Sequence, residues 1–255
     1  MHITSAANPR IKRLVALRDR KERAQESVFI VEGARDLARA VAHGHKPLEI
    51  YYDPARFPDP PQHARTEVSV ATPALDRASY RGRSQGVIAV FTQFDLALDN
   101  LAPGPDPLFL MAEAIEKPGN LGALLRIADA VGADAVVAAD PDTDPFSPNV
   151  VRASTGAIFS VPLGVTDLDA AVSWVRHHGA RITAADPGAP DLLWDADLTG
   201  PVALLVGAED TGLTGPARAA ADATVSLPMR GSTDSLNVSV CMAVLAYEAL
   251  RQRSA

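Results

Sequence analysis

Apolar residues recur along the chain in two rhythms. Ile11, Leu14, Val15 and Leu17 fall at helical spacing with basic residues opposite, which predicts a helix over 7–24. Short apolar runs then alternate with helical patterns: strand 28–31, helix 33–43, strand 48–51, helix 72–79 and strand 86–91. The alternation resumes with strand 108–112, helix 120–131, strand 135–138, helix 167–178, strand 181–185, strand 202–206 and strand 223–227, before a long final helix over 235–252. Strands alternating with helices predict an α/β fold with a largely parallel sheet. Runs such as Leu108–Ala112 and Val202–Val206 are apolar throughout, as strands covered on both faces require.

Proline and glycine mark the joints. Residues 53–62 read as a turn-rich loop, and residues 99–107 hold three prolines and a glycine between two apolar runs. The latter is taken as a linker between a domain over 1–98 and one over 108–255. A chain of 255 residues, 47% hydrophobic and 22% charged, has enough apolar material for folded cores without staples. Cys241 is the single cysteine, so an intramolecular disulfide framework and Cys-based zinc sites are excluded. The six histidines lack metal-ligand spacing, and no metal site is expected. No apolar run reaches the ~18 residues of a membrane span, and Met1 to Arg13 carries no apolar signal core, so a cytoplasmic protein with no membrane partner is expected.

The net charge of −7 conceals an asymmetry. Residues 1–100 carry 15 Lys/Arg against 12 Asp/Glu, whereas residues 101–255 carry 9 against 19. Arg10, Lys12, Arg13, Arg18, Arg20, Lys21 and Arg23 face only Asp19 and Glu22. Such a cluster is either a phosphate-binding footprint or a solvated helix face.

Three strand exits carry polar cargo. The first, Glu116–Arg126, combines Gly119 and Gly122 with Asn120 at a capping position and Arg126 one and two-thirds turns further on. The second, Val206–Leu213, places Glu209 between Gly207 and Gly212. The third, Leu227–Ser239, passes through Gly231 and brings Ser235 and Asn237 into the expected first helical turn. Ser235 reads there as a simple cap, whereas Asn is a poor choice inside a helix. In parallel α/β sheets, ligands sit beyond the carboxyl ends of strands, where all three loops emerge.

Taken in order, the loops resemble the motifs of the SpoU/TrmH branch of the SPOUT RNA methyltransferases. Asn120, Gly122 and Arg126 match N-x-G-x-x-x-R; Gly207, Glu209 and Gly212 match G-x-E-x-x-G. Leu227, Pro228, Met229 and Gly231, then Ser235 through Ser239, match the third signature. Val151-Arg152-Ala153-Ser154 is similar to a family segment between the first two. Asn8–Lys12, Phe29–Gly33 and Gln85–Ala89 resemble the family's ribosomal-protein-like RNA-binding extension.

The resemblance implies a deep trefoil knot in the catalytic domain, a homodimer, and S-adenosylmethionine as methyl donor. It implies cofactor contacts at Ala184, Gly207, Leu227, Met229 and Leu236, and RNA contacts at Arg10, Lys12, Arg13 and Arg152. The implied reaction is methyl transfer to a ribose 2′-OH of ribosomal or transfer RNA, with Arg126, Asn120, Glu209, Ser235 and Asn237 as catalytic candidates. A neutral arginine at pH 7 would cost at least ~7 kcal/mol, so Arg126 is expected to hold a phosphate and polarise the hydroxyl rather than act as a base. Asn120 and Asn237 would orient Arg126 or the ribose, and Glu209 would fix Arg126 or the motif loops. The alternative on the same scaffold is a non-catalytic RNA-binding or ribosome-assembly factor.

Overall fold

The computed structural model describes residues 2–59 and 64–254. Residues 60–62 of the expected 53–62 loop lie outside the described residues, as do Met1, His63 and Ala255. In chain order the elements are β1 (His2–Ile3), α1 (Pro9–Ala16), α2 (Arg20–Glu26), β2 (Val28–Glu32), α3 (Ala34–Ala42), β3 (Glu49–Tyr52), β4 (Thr66–Val70), α4 (Thr72–Ala78) and β5 (Val87–Thr92). Then follow β6 (Leu108–Glu113), α5 (Pro118–Val131), β7 (Ala135–Ala139), α6 (Pro148–Ser154), β8 (Leu163–Thr166), α7 (Leu168–His177), β9 (Arg181–Ala185), β10 (Val202–Val206), α8 (Gly215–Ala220), β11 (Ala223–Val225) and α9 (Val238–Arg253).

The chain divides into two units. One ends at Phe94 and takes back Asp144–Ser160; the other holds Asp95–Thr143 and resumes at Val161. The expected linker 99–107 therefore lies inside the second unit, and the segment around Arg152 packs with the first.

In the first unit a mixed sheet runs β1-β4-β3-β5-β2, with β1, β4 and β3 parallel and β5 antiparallel to both β3 and β2. Ile11, Leu14 and Leu17 of the first helical segment bury against Ile30, Val68 and Ile88. The helix expected over 7–24 is two helices. Asn8 caps α1 with Pro9 at the first position, the arrangement in which proline's missing N–H costs nothing. Asp19 then accepts the Lys21 N–H at 2.8 Å and starts α2, because a short carboxylate offers the backbone a better bond than helix continuation does. The returning segment closes an aromatic cluster in which Phe29 lies 5.0 Å from Phe146 and 6.0 Å from Phe159, ring centre to ring centre. Aromatic pairs of this kind contribute about 0.5–1.5 kcal/mol beyond burial.

The second unit holds a parallel sheet in the order β11-β9-β10-β6-β7-β8. Strands β6, β7 and β10 are buried along their whole length, as their continuous apolar sequence requires. The chain fills one side of the sheet through β6, β7 and β8, then crosses to the other through β9, β10 and β11. The order reverses at the β6–β10 pair, which is where an open α/β sheet leaves a crevice for a ligand. Glu113 ends β6, and Ala114 follows in the left-handed region at φ 49°, a conformation that costs a residue with a side chain roughly 1–2 kcal/mol. Such strain concentrates where function requires the chain to turn sharply.

Candidate active site

The three motif loops meet at the carboxyl ends of β6, β10 and β11. Asn120 does not cap a helix: α5 begins at Pro118 after Lys117, so Asn120 lies inside the first turn and is buried. Its amide donates to Oε1 of Glu209, and its Oδ1 accepts from Nδ2 of Asn237 at 3.2 Å. Glu209 also accepts the N–H groups of Glu116 at 3.4 Å and Lys117 at 3.3 Å. Burial works against ionisation of Glu209, but the bonds from Asn120 and these amides outweigh it and hold the carboxyl below its ordinary range. One carboxylate thus binds the second loop to the first, and one amide binds the first to the third. Of the two roles expected for Glu209, fixing the loops is the one its contacts serve.

Asn237 is the N-cap of α9, whose first residue is Val238, and its Oδ1 accepts the Ser239 N–H at 3.0 Å. This corrects the expected start at residue 235. Asn is unfavourable within a helix but among the best residues at a cap. Ser235 therefore stands in the loop, on the wall of a cavity.

That cavity, about 430 Å³, opens between the β9 exit, the Gly207–Leu213 loop and the Leu227–Leu236 loop. Gly207, Glu209, Leu227, Met229, Ser235 and Leu236 all line it. Ala208 and Gly212 exchange hydrogen bonds of 3.1 and 3.0 Å, pinching the second loop so tightly that a Cβ on Gly207 would overlap the Gly212 backbone. Gly212 itself adopts φ +68°, which glycine tolerates without penalty. Cys241 also lines the cavity, and burial pushes its thiol up to about 11, leaving it neutral. Ala184 does not reach the wall. It is fully buried in the apolar core, and the wall begins one residue later, at Ala185 and Asp186 where β9 ends.

Arg126 is exposed on α5 and absent from this cavity's wall, and its side chain has no hydrogen-bond or ionic partner among the described residues. At 100° per residue it lies about 240° round the helix from Asn120. Asn120 and Asn237 are bonded to one another, so neither orients it.

Two residues at the site escaped the sequence reading. Glu113, a buried acid closing an otherwise apolar strand, accepts from the N–H of Thr214 at 3.0 Å and from its hydroxyl, joining β6 to the cap of α8. That lone acid in Leu108–Glu113 was the available signal. Asp186 at the β9 exit pairs with Arg218 at 2.6 Å; they lie 32 positions apart, so no local pattern connects them.

In the first unit the basic cluster is only partly available. Arg23 is buried, ion-paired with Asp144 and bonded to the Leu17 and Arg18 carbonyls. Arg18 donates to the carbonyls of Arg77 and Ser79, and Arg13 bridges Glu26 and Glu49 at 2.7 and 3.0 Å. Arg10 bonds the hydroxyl of Tyr51, a phenol that burial pushes up to about 12. Lys12, Arg20 and Lys21 remain exposed. Arg152 on α6 donates to Asn149 at 3.3 Å, and Asn149 donates to the Tyr80 hydroxyl at 3.0 Å. Among the described residues no group of His, Cys, Asp or Glu is placed to hold a metal ion, and no helix is long and apolar enough to cross a membrane.

A parallel sheet whose β9, β10 and β11 exits carry a glycine-pinched, acid-rimmed cavity defines a class of small-molecule-binding α/β proteins. Residues 107–247 match the SpoU rRNA methylase family, and the chain belongs to it. Residues 8–89 match the MRM3-like substrate binding domain. A 23S rRNA (guanosine-2′-O-)-methyltransferase RlmB from Ralstonia nicotianae is 40% identical over 177 residues, 68% of this chain and 71% of that protein. The crystal structure of an RNA 2′-O ribose methyltransferase superposes with a TM-score of 0.87 at 40% identity, covering 100% of both chains. The SpoU methyltransferase AviRb from Streptomyces viridochromogenes, in complex with AdoMet, superposes with a TM-score of 0.87 at 32% identity, over 97% of this chain and 99% of that one.

The cavity fits S-adenosylmethionine. Its volume lies within the ~300–1,000 Å³ typical of ligand sites. Leu227, Met229 and Leu236 offer apolar surface, the pinch at Gly207 allows close main-chain approach, and Asp186, Glu209, Asp210 and Asp234 suit a cationic ligand.

Proposed function

We propose that this chain transfers a methyl group from S-adenosylmethionine to a ribose 2′-OH of ribosomal RNA. The observation that carries the reading is the Glu209–Asn120–Asn237 chain of hydrogen bonds, which joins three sequence-distant loops, two of them forming walls of the cavity.

Bound S-adenosylmethionine supplies a methyl carbon already activated by its sulfonium. Gly207, Leu227, Met229 and Leu236 would hold the donor, with the carboxylates of the rim favouring its positive charge. Aligning donor and acceptor accounts for up to ~7–11 kcal/mol of the barrier in such reactions. Arg126, exposed and without an internal partner among the described residues, would clamp an RNA phosphate with its fork and polarise the 2′-hydroxyl, whose proton an RNA phosphate oxygen would accept as the methyl leaves S-adenosylhomocysteine behind. Asn120 and Asn237 act on the loops, through each other, and Ser235 stands where it could meet the ribose. The 2′-OH is also the group that distinguishes RNA from DNA.

In this reading the first unit, with its match to a substrate-binding domain, selects the RNA through Lys12, Arg20, Lys21 and Arg152. The catalytic half is read as a knotted SPOUT domain acting as a homodimer in the cytoplasm. The exposed apolar residues Val240 and Tyr247 of α9, beside Trp194, support a self-associating face. The proposal is tested by incubating the protein with tritium-methyl donor and ribosomal RNA, then mapping 2′-O-methyl nucleosides by mass spectrometry. Donor binding without methylation of any RNA would favour the assembly-factor alternative.

A further inference from the structure

We infer that Arg218 recognises the carboxylate at the amino-acid end of the donor and so sets which adenosyl compounds the cavity accepts. The inference rests on the cofactor reading above. Among the described residues Arg218 is the only lysine or arginine on the cavity wall, where the other ionisable groups are acids and a neutral thiol. A sulfonium and an ammonium both suit that acidic rim. A carboxylate does not, unless it is placed against the one cation.

The geometry of Arg218 agrees with this. Its Nε donates to Oδ2 of Asp186 at 2.6 Å, while Oδ1 of Asp186 accepts the Gly188 N–H at 2.9 Å. The N–H of Gly188 and then the guanidinium hold the Asp186 carboxyl below its ordinary range, so the tether stays charged. Tethering through Nε fixes the plane of the guanidinium and, among the described residues, leaves both terminal nitrogens without a partner. Those two parallel donors form the edge that binds a carboxylate bidentately. An ion pair as exposed as this one contributes little to stability, so a structural purpose for Arg218 is weak.

The test uses two matched ligands, S-adenosylhomocysteine and its decarboxylated amine analogue, titrated calorimetrically into the wild-type protein, Arg218→Gln and Arg218→Lys. The expected result is a loss of S-adenosylhomocysteine affinity of about 5–30-fold in Arg218→Gln, with the decarboxylated analogue changing less than about twofold. Arg218→Lys, which keeps charge but loses the fork, should fall between. An equal loss for both ligands would assign Arg218 a structural role and overturn the inference, as would no loss for either. So would a variant that binds both ligands normally and weakens only on RNA. Failure of the wild-type protein to bind either ligand would instead remove the cofactor reading itself.

Discussion

Asn237 donates its side-chain N–H to Oδ1 of Asn120 across 3.2 Å, although 117 residues separate them. Asn120 uses its own N–H groups on Glu209, so its amide is spent on both neighbouring loops. Replacing Asn120 by Ala leaves a carboxylate and an amide without their partner. The expected cost is about 1–3 kcal/mol of stability, with a fall in transfer rate of tenfold or more. Asn120→Asp should be worse, since it sets a second negative charge against Glu209. Chemical denaturation and a tritium-methyl assay measure the two effects, and a fully active Asn120→Ala would refute the welding role.

Glu209 makes a pH prediction whose sign follows from its depressed folded-state pKa. A carboxylate lowered on folding stabilises the protein fully above its unfolded value, near ~4.3, and loses that stabilisation as pH falls through the folded value. Glu209→Gln should therefore lower stability at pH 7, and the gap to wild type should close in acid. Urea titrations of both proteins at pH 7 and near pH 3.5 give the comparison. A gap that widened in acid would contradict the assignment.

Gly207→Ala places a methyl group into the Gly212 backbone, a wall that cannot yield as a flexible side chain would. We expect overpacking of about 1–3 kcal/mol and a loss of donor affinity of tenfold or more. Calorimetry with S-adenosylhomocysteine decides it.

Arg126→Ala should nearly abolish transfer while leaving donor affinity within a few-fold, because Arg126 is not on the cavity wall. Turnover close to wild type would exclude the phosphate-clamp role.

The basic residues of the first unit should separate into two groups. Replacing Lys12, Arg20 and Lys21 by Ala should reduce the salt dependence of RNA binding by a slope of about 2–3 with little change in melting. Arg23→Ala should instead cost about 3–5 kcal/mol, since it strands Asp144 in a buried pair. A salt slope unchanged by the triple substitution would place the RNA elsewhere.

The strands other than β1, β4 and β8 were legible because unbroken apolar runs leave little choice of structure. β4 was not recognised, although Val68 and Val70 alternate with polar neighbours and bury on one face. Its five residues follow a proline-rich stretch that reads only as loop. Motif residues were legible as a set, but their roles were not. Whether Asn237 caps a helix or sits inside it depends on where the backbone turns, which the side chain itself helps to decide. The pairings of Glu113 with Thr214 and of Asp186 with Arg218 are products of topology alone. Counting positive residues likewise overstated the surface charge open to RNA, since Arg13, Arg18 and Arg23 bond within the unit.

The return of Asp144–Ser160 to the first unit governs how this protein can be re-engineered. Swapping the N-terminal hundred residues for those of a relative would import Phe29 and Phe91 equivalents while leaving Phe146 and Phe159 behind as mismatched inserts. A chimera intended to redirect RNA choice must therefore be cut at three places rather than one. Natural drift in target selection should leave correlated changes on both sides of the same three boundaries.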